Sequence, residues 1–309
     1  MIAFGGISAS KIYLGSTEVG KAYLGSNLIW SSGPRTDSDW VKISGASKVG
    51  LVSLSSNQSI EYSLDSGSTW NTLDTANDVA PNGEVMYLRG VLSANNDGSN
   101  FTQFKMTGAS ANSLAVYGNL ANLWNYNDID ASIKEYCGYQ LFSGCTDISS
   151  VSQLKITGST LAADCYERMF DGCSNIDAMP VFSANAVAYR SCRLMFSYCS
   201  SLVTASVPQA LTLAEGCYDR MFRGCTSLTS VSTMPAATVS TTAYQYMFDG
   251  CSNLESVTCL ATDVSATDST KNWLRGVAAS GTFTKATSMT SWASGDSGIP
   301  AGWTVQDAA

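Results

Sequence analysis

The chain has 309 residues, enough for two domains or for one domain with a repeat array. Only 14% of the residues are charged, the formal net charge is -8, and histidine is absent. The acidic balance argues against a nucleic-acid partner, and the missing imidazole removes Ser-His-Asp and Cys-His nucleophile pairs together with His-ligated metals.

No run of about 18 apolar residues occurs, so no membrane insertion is expected. The opening Met1-Ile-Ala-Phe-Gly-Gly-Ile-Ser lacks a basic region followed by a long apolar one, so no secretory signal is expected either. Residues 1–33 hold a small duplication, Lys11-Ile-Tyr-Leu-Gly-Ser and Lys21-Ala-Tyr-Leu-Gly-Ser. Each copy alternates apolar and polar residues and ends in Gly-Ser, the pattern of a strand and a turn. A hairpin this small needs a neighbour to pack on. Its apolar residues, Tyr13, Leu14, Tyr23, Leu24 and Trp30, are the candidate docking residues.

Residues 34–125 read as a β-domain. The predicted strands are Trp40–Ile43, Gly50–Leu54, Ile60–Leu64, Thr69–Leu73, Val85–Arg89, Phe101–Met106 and Leu114–Tyr117. Turn-forming residues separate them, and short strands at regular spacing suggest a β-sandwich. Within this stretch Ser63-Leu-Asp65-Ser-Gly67-Ser-Thr-Trp70 resembles the Asp-box of sialidase-like propellers. A single copy reads as a hairpin whose Asp65 caps its own turn and whose Trp70 packs inward.

Residues 126–309 contain the feature that decides the architecture. A phrase such as Cys165-Tyr-Glu-Arg-Met-Phe-Asp-Gly-Cys173 recurs five times. Its anchors Phe142, Phe170, Phe196, Phe222 and Phe248 are spaced by 28 residues once and then by 26 three times. A fixed period of this size means a solenoid. Each unit reads as a short helix ending at Met-Phe, stopped by Gly-Cys, followed by a strand opened by Ile148, Ile176, Leu202, Leu228 or Leu254. Leu274 falls in the Phe register of a degenerate sixth unit, and Trp292 and Trp303 are expected to cap the last coil. The Phe anchors should stack into a ladder, each ring contributing roughly 1.5–3 kcal/mol.

The ten cysteines carry no Cys-x-x-Cys frame. On a helix, pairs such as Cys165 and Cys173 lie roughly 12 Å apart by helical rise, too far for a disulfide. Cys173, Cys199, Cys225 and Cys251 share one register and read as a ladder of buried, reduced thiols, which favours folding in a reducing compartment. Cys259 lies outside that register.

Asp128 and Asp130 lack the glycine and distal glutamate of a calcium loop and read as a capping loop. On the strands, Ser150, Thr204, Ser230 and Ser256 fall at one solvent-facing register, the candidate ligand face. Ser152, Ser206, Ser232 and Thr258 fall at a second. This face carries no aromatic residue, and Tyr166, Tyr218 and Tyr244 read as core. The carboxylates are scattered, without the opposed pair of a glycosidase, so neither an enzyme nor a cofactor is expected.

The phrase Cys-Tyr-x-x-Met-Phe-x-Gly-Cys-x-x-Leu resembles the BspA-like leucine-rich repeats common in Bacteroidetes, over about residues 136–277. That resemblance implies an α+β fold: an N-terminal β-hairpin and β-sandwich, then a leucine-rich-repeat solenoid with a period of about 26. The opening, from Lys11-Ile-Tyr-Leu-Gly-Ser to Leu28-Ile-Trp30, resembles the first segments of tail, fibre and other bacteriophage virion proteins. Together these imply a virion structural protein of a Bacteroides-type phage. Its N-terminus would dock on other virion proteins, as a homo-oligomer. The repeats would be displayed toward a host-surface glycan or protein. The alternative is a bacterial surface adhesin of the same repeat family.

Overall fold

A computed structural model of the chain describes the backbone of short strands between 12 and 31, and residues 40–45, 47–56, 58–81, 85–92, 99–107, 114–124 and 133–309. In the first segment Ile12–Leu14 pairs antiparallel with Thr17–Val19, and Lys21–Leu24 with Asn27–Ser31. Tyr13, Leu14, Tyr23, Leu24 and Trp30 lie on these strands, and their side chains fall outside the described residues. Asp128 and Asp130 also fall outside them.

All seven strands expected between 34 and 125 form, with ends shifted by a residue or two: Val41–Ser44, Lys48–Ser53, Ser59–Ser63, Asn71–Leu73, Val85–Val91, Gln103–Thr107 and Leu114–Asn119. Five lie in one antiparallel sheet, in the order Asn71–Leu73, Ser59–Ser63, Val85–Val91, Val41–Ser44, Leu114–Asn119. Alternation buries Val41, Ile43, Leu114 and Val116 on one face. The other two, Lys48–Ser53 and Gln103–Thr107, form a separate antiparallel ribbon.

The sheet does not stop at the domain's end. Leu114–Asn119 pairs in parallel with Ile148–Ser150 and Leu154–Ile156 of the first coil, and Leu154–Ile156 with Val181–Phe182 of the second. The ribbon meets the coil's other side: Phe104 N–H donates to Leu141 O at 2.8 Å, and the Phe104 ring stacks on Phe142 at 5.1 Å. The β-domain therefore supplies both walls of a coil that precedes the first repeat.

The repeats form a β-solenoid of about six turns with a period of about 26, and they contain no helix. Among the described residues the single helix is Ala121–Trp124, outside the repeats. The expected helices are instead chains of overlapping turns. In the first coil Cys137, Tyr139, Leu141, Ser143 and Cys145 donate three residues back. The alternate residues Tyr136, Gly138, Gln140, Phe142 and Gly144 donate to Ala163, Cys165, Glu167, Met169 and Asp171 of the next coil, at 2.6–3.3 Å. An α-helix satisfies these groups internally; here half of them tie one coil to the next. The same five-rung ladder repeats along the solenoid to Gly250, which donates to Arg275 O at 2.8 Å.

This chain of turns requires a left-handed residue every fourth position. Gln140, Arg168, Leu194, Arg220, Tyr246 and Asn272 have φ of 51–58°. Four residues further on stand Gly144, Gly172, Tyr198, Gly224, Gly250 and Gly276, with φ of 59–78°. Glycine takes this conformation freely. Elsewhere the inter-coil ladder over-determines a backbone that costs roughly 1–2 kcal/mol per non-glycine residue. The helix expectation failed for a physical reason. A four-residue turn repeat points residues such as Cys165, Tyr166, Met169 and Phe170 inward just as a 3.6-residue helix would.

The interior follows the register. Phe142, Phe170, Phe196, Phe222 and Phe248 are fully buried and stack at 5.2–6.1 Å with interplanar angles of 6–18°. Leu274 holds the sixth position, and Trp292 stacks on Trp273 at 5.5 Å. The parallel sheet Thr204–Ala205, Ser230–Val231, Ser256–Cys259 is extended by Gly281–Lys285 and Trp303–Asp307. Trp303 is buried and donates from Nε1 to Ala278 O at 2.8 Å.

A candidate binding groove on the strand face

The two faces of the solenoid differ in what they leave open. On the turn face, charge is spent between coils. Arg193 bridges Glu167 at 2.7 Å and Asp219 at 3.0 Å, and Asp249 bridges Arg223 at 3.1 Å and Arg275 at 2.7 Å. Burial pushes Glu167 and Asp171 above the usual carboxylate range, while Arg193 and Arg168 hold them back. These acids serve the coil stack.

The strand face is interrupted. Val181–Phe182 pairs backward with Leu154–Ile156, whereas Thr204–Ala205 pairs forward with Ser230–Val231, and no ladder joins the two. Proline explains the gap. Pro208 has no N–H to offer. The residues around it are tied to the coil ahead: Val207 N–H donates to Ser232 Oγ at 3.1 Å, and Gln209 Nε2 to Thr233 O at 3.3 Å. Pro208 O accepts from Tyr218 Oη at 2.9 Å. A cleft opens behind this segment, about 540 Å³, lined by Pro180, Val181, Phe182, Asn185, Ser206, Val207, Pro208, Gln209 and Ser232 among others.

Two further clefts continue it. Val181 also borders one of about 510 Å³ at the junction with the β-domain, with Lys42, Tyr117, Gly118, Ser152, Gln153 and Lys155. Asn185 and Gln209 also border one of about 480 Å³, with Ala186, Leu211, Thr212 and Pro235. The three clefts adjoin along the first coils, sharing Val181, Asn185 and Gln209 at their borders, and together they form the candidate groove. Val181 is 54% and Leu211 72% exposed, large apolar side chains set beside amides and hydroxyls. None of the described lining residues is Asp or Glu, in a chain with 25 acidic residues. Lys42 Nζ stands 5.2 Å from the Tyr87 ring centre and 5.8 Å from that of Tyr117. Size and mixed lining match a ligand cleft.

Three of the four residues expected on the ligand face share one strand register. Thr204, Ser230 and Ser256 lie opposite one another in parallel register, and Thr282 and Thr304 extend the row. Ser150 does not join them: it sits opposite Ala115 in the other sheet. Of the second register, Ser152, Ser206 and Ser232 line the groove. Sequence reasoning missed Lys42, Tyr117, Lys155, Gln209 and Leu211. The available signal was the break in periodicity, Pro208 at a strand position with an apolar Leu211 just beyond it.

The thiols hold the core. All ten cysteines are free and buried. Cys173, Cys199, Cys225 and Cys251 donate from Sγ to the carbonyls of Phe142, Phe170, Phe196 and Phe222 at 3.0–3.3 Å. Cys259, on the inner side of the strand Ser256–Cys259, is fully buried, and burial pushes its thiol up to about 12. Among the described residues no cluster of His, Cys, Asp or Glu is arranged to hold a metal ion, and no helix is long and apolar enough to cross a membrane.

The Asp65 hairpin is built as its residues suggest. Asp65 accepts from Ser63 Oγ at 2.6 Å, Thr69 Oγ1 at 2.6 Å and Thr69 N–H at 2.8 Å. Trp70 packs on Trp40 at 5.0 Å with Arg89 over its ring at 4.2 Å. It is half-buried on the sheet surface rather than in the core. Compared with protein-family models, curated proteins and solved structures, the chain matches none.

Proposed function

We propose that this is a non-catalytic display protein whose solenoid presents the strand-face groove to a linear glycan on a host surface. The groove itself carries the reading. Its clefts set apolar side chains beside the amides of Gln153, Asn185 and Gln209 and beside serine hydroxyls. Amides and hydroxyls exchange paired hydrogen bonds with sugar hydroxyls, and proline, valine and tyrosine side chains suit the C–H faces of sugar rings.

The particle that carries it, on this reading, is a Bacteroides-type phage virion. Support comes from the resemblance of the first segment to virion proteins and from ten buried thiols, which suit folding in a reducing host cytoplasm. The N-terminal strands would dock on other virion proteins, in a homo-oligomer formed by edge pairing. The ribbon and the sheet are read as the two layers of a small sandwich, and the coils as a turn-built variant of the BspA-like repeat.

Two measurements test this. The purified chain on an array of linear glycans should bind a defined subset, and a chain that binds none removes the glycan. Mass spectrometry with immunogold labelling of particles grown on a Bacteroides host should place it on the virion. Label on the bacterial surface and none on particles would favour the adhesin instead.

A further inference from the structure

We propose that Tyr198, on the turn face, is a stacking platform for a neutral pyranose, a second sugar contact that does not depend on the strand-face groove.

Tyr198 breaks the repeat. At the second left-handed position of each phrase stand Gly144, Gly172, Gly224, Gly250 and Gly276, and the third coil has Tyr198 there instead, at φ 59°. A bulky side chain is strained in this conformation, which glycine adopts freely. The inter-coil ladder holds the backbone in place: Gly172 N–H donates to Ser197 O at 2.8 Å, and Tyr198 N–H to Arg223 O at 2.7 Å. Those bonds use main-chain atoms alone, so glycine would serve the fold equally well. Nor is the ring used to fill the core, since Tyr198 is 50% exposed. Of eight large apolar side chains exposed among the described residues, Tyr198 alone lies within the repeated phrase. Strain kept where it displays a side chain points to a ligand contact.

The ring is open toward the coil behind it. It leans over the coil ahead, where a Cβ at Gly224 would fall 2.5 Å from its Cδ1. On the other side, among the described residues, a Cβ at Gly172 would meet within 4 Å only the Gly144 backbone, and one at Gly144 would meet nothing. Gly144 and Gly172 form a bare ledge that ends against Tyr198.

Size and charge select the occupant. A protein partner needs about 800 Å² on each side, and one isolated ring offers far less. A pyranose fits it, with its C–H face on the aromatic ring and its hydroxyls toward polar groups on either side. Those groups are ion pairs already closed: Arg168 with Asp171 at 2.9 Å beside the ledge, and Arg223 with Asp249 at 3.1 Å beyond the ring. The Arg223 guanidinium lies 5.8 Å from the Tyr198 ring centre. Paired charge favours a polyol over an ion, because a carboxylate or guanidinium engaged by its partner still has lone pairs or N–H groups for hydroxyls.

The test uses the full chain with carbon-13-labelled tyrosine rings and four neutral linear trisaccharides, of β-linked glucose, N-acetylglucosamine, galactose and mannose. Tyr198→Phe, which keeps the ring, assigns the Tyr198 resonance by its loss and should retain the affinity. At least one trisaccharide should move that resonance saturably, in the native chain and equally in Val181→Asp. Tyr198→Gly restores the repeat residue. It should melt no lower than the native chain and weaken that trisaccharide about tenfold, the scale of a lost ring contact. The resonance shift decides the matter in the native chain even where Tyr198→Gly fails to fold. No movement at Tyr198 with any trisaccharide, or full affinity in a folded Tyr198→Gly chain, overturns the platform. Either result leaves the groove standing, because Val181→Asp tests that site separately.

Discussion

The thiol of Cys173 donates to the carbonyl oxygen of Phe142, one coil back, at 3.0 Å. The contact recurs with Cys199, Cys225 and Cys251, and Cys145 makes the opening version with Phe104 O at 3.5 Å. Each repeat Phe carbonyl already accepts the N–H of the cysteine three residues on, and the thiol of the next coil adds a second, small donor. Cys225→Ala removes that second donor, while Phe196 O keeps the Cys199 N–H at 3.2 Å. We expect a loss of about 0.5–1.5 kcal/mol, read by urea denaturation. Cys225→Ser, which keeps a donor, should lose less than the alanine variant.

Burial also silences the thiols. It pushes Cys192 and Cys251 up to about 12, and the other thiols likewise rise. A thiolate-specific reagent at neutral pH should therefore label the native chain at none of its ten cysteines and all ten once unfolded. Rapid labelling of the native chain would contradict the buried ladder.

The Phe stack joins the two halves of the molecule through Phe104. Phe196→Ala, in the middle, should cost about 3–5 kcal/mol and lower the whole transition. Phe104→Ala should cost a similar amount but split the transition, releasing the β-domain from the solenoid before the coils melt. Calorimetry distinguishes one peak from two.

Left-handed glycines should differ in tolerance. At Gly144, φ +74°, a Cβ would meet nothing within 4 Å, so Gly144→Ala should cost only the backbone term of about 1–2 kcal/mol. At Gly224, φ +73°, a Cβ would fall 2.5 Å from the Tyr198 ring, so Gly224→Ala must also displace that ring. Thermal melts should rank Gly224→Ala below Gly144→Ala.

The Ser63 and Thr69 hydroxyls and the Thr69 N–H hold the Asp65 carboxylate down to about 2, below an unfolded value of about 3.9. A depressed folded value means its contribution is complete above about pH 4 and fades as pH falls toward 2. Carbon-13 NMR should place its midpoint near 2, and Asp65→Asn should remove that part of the acid response.

The period, the Phe ladder, the shared cysteine register and the strands of the β-domain were all legible, because each depends on which residues point inward. The helix was not. Cys165, Tyr166, Met169 and Phe170 turn inward alike in a helix and in a chain of four-residue turns, and only the partners of their N–H groups differ. The groove was hidden for a related reason. It lies where Pro208 breaks the repeat and where Lys42 and Tyr117, far away in sequence, meet the first coils.

Affinity of an array-selected glycan for the native chain and for Val181→Asp tests the groove most directly. Val181 is 54% exposed and borders two of the three clefts, so the change should leave the melting temperature unmoved. Binding should fall by about tenfold or more. Unchanged affinity in a folded Val181→Asp chain would place the glycan elsewhere and contradict the account.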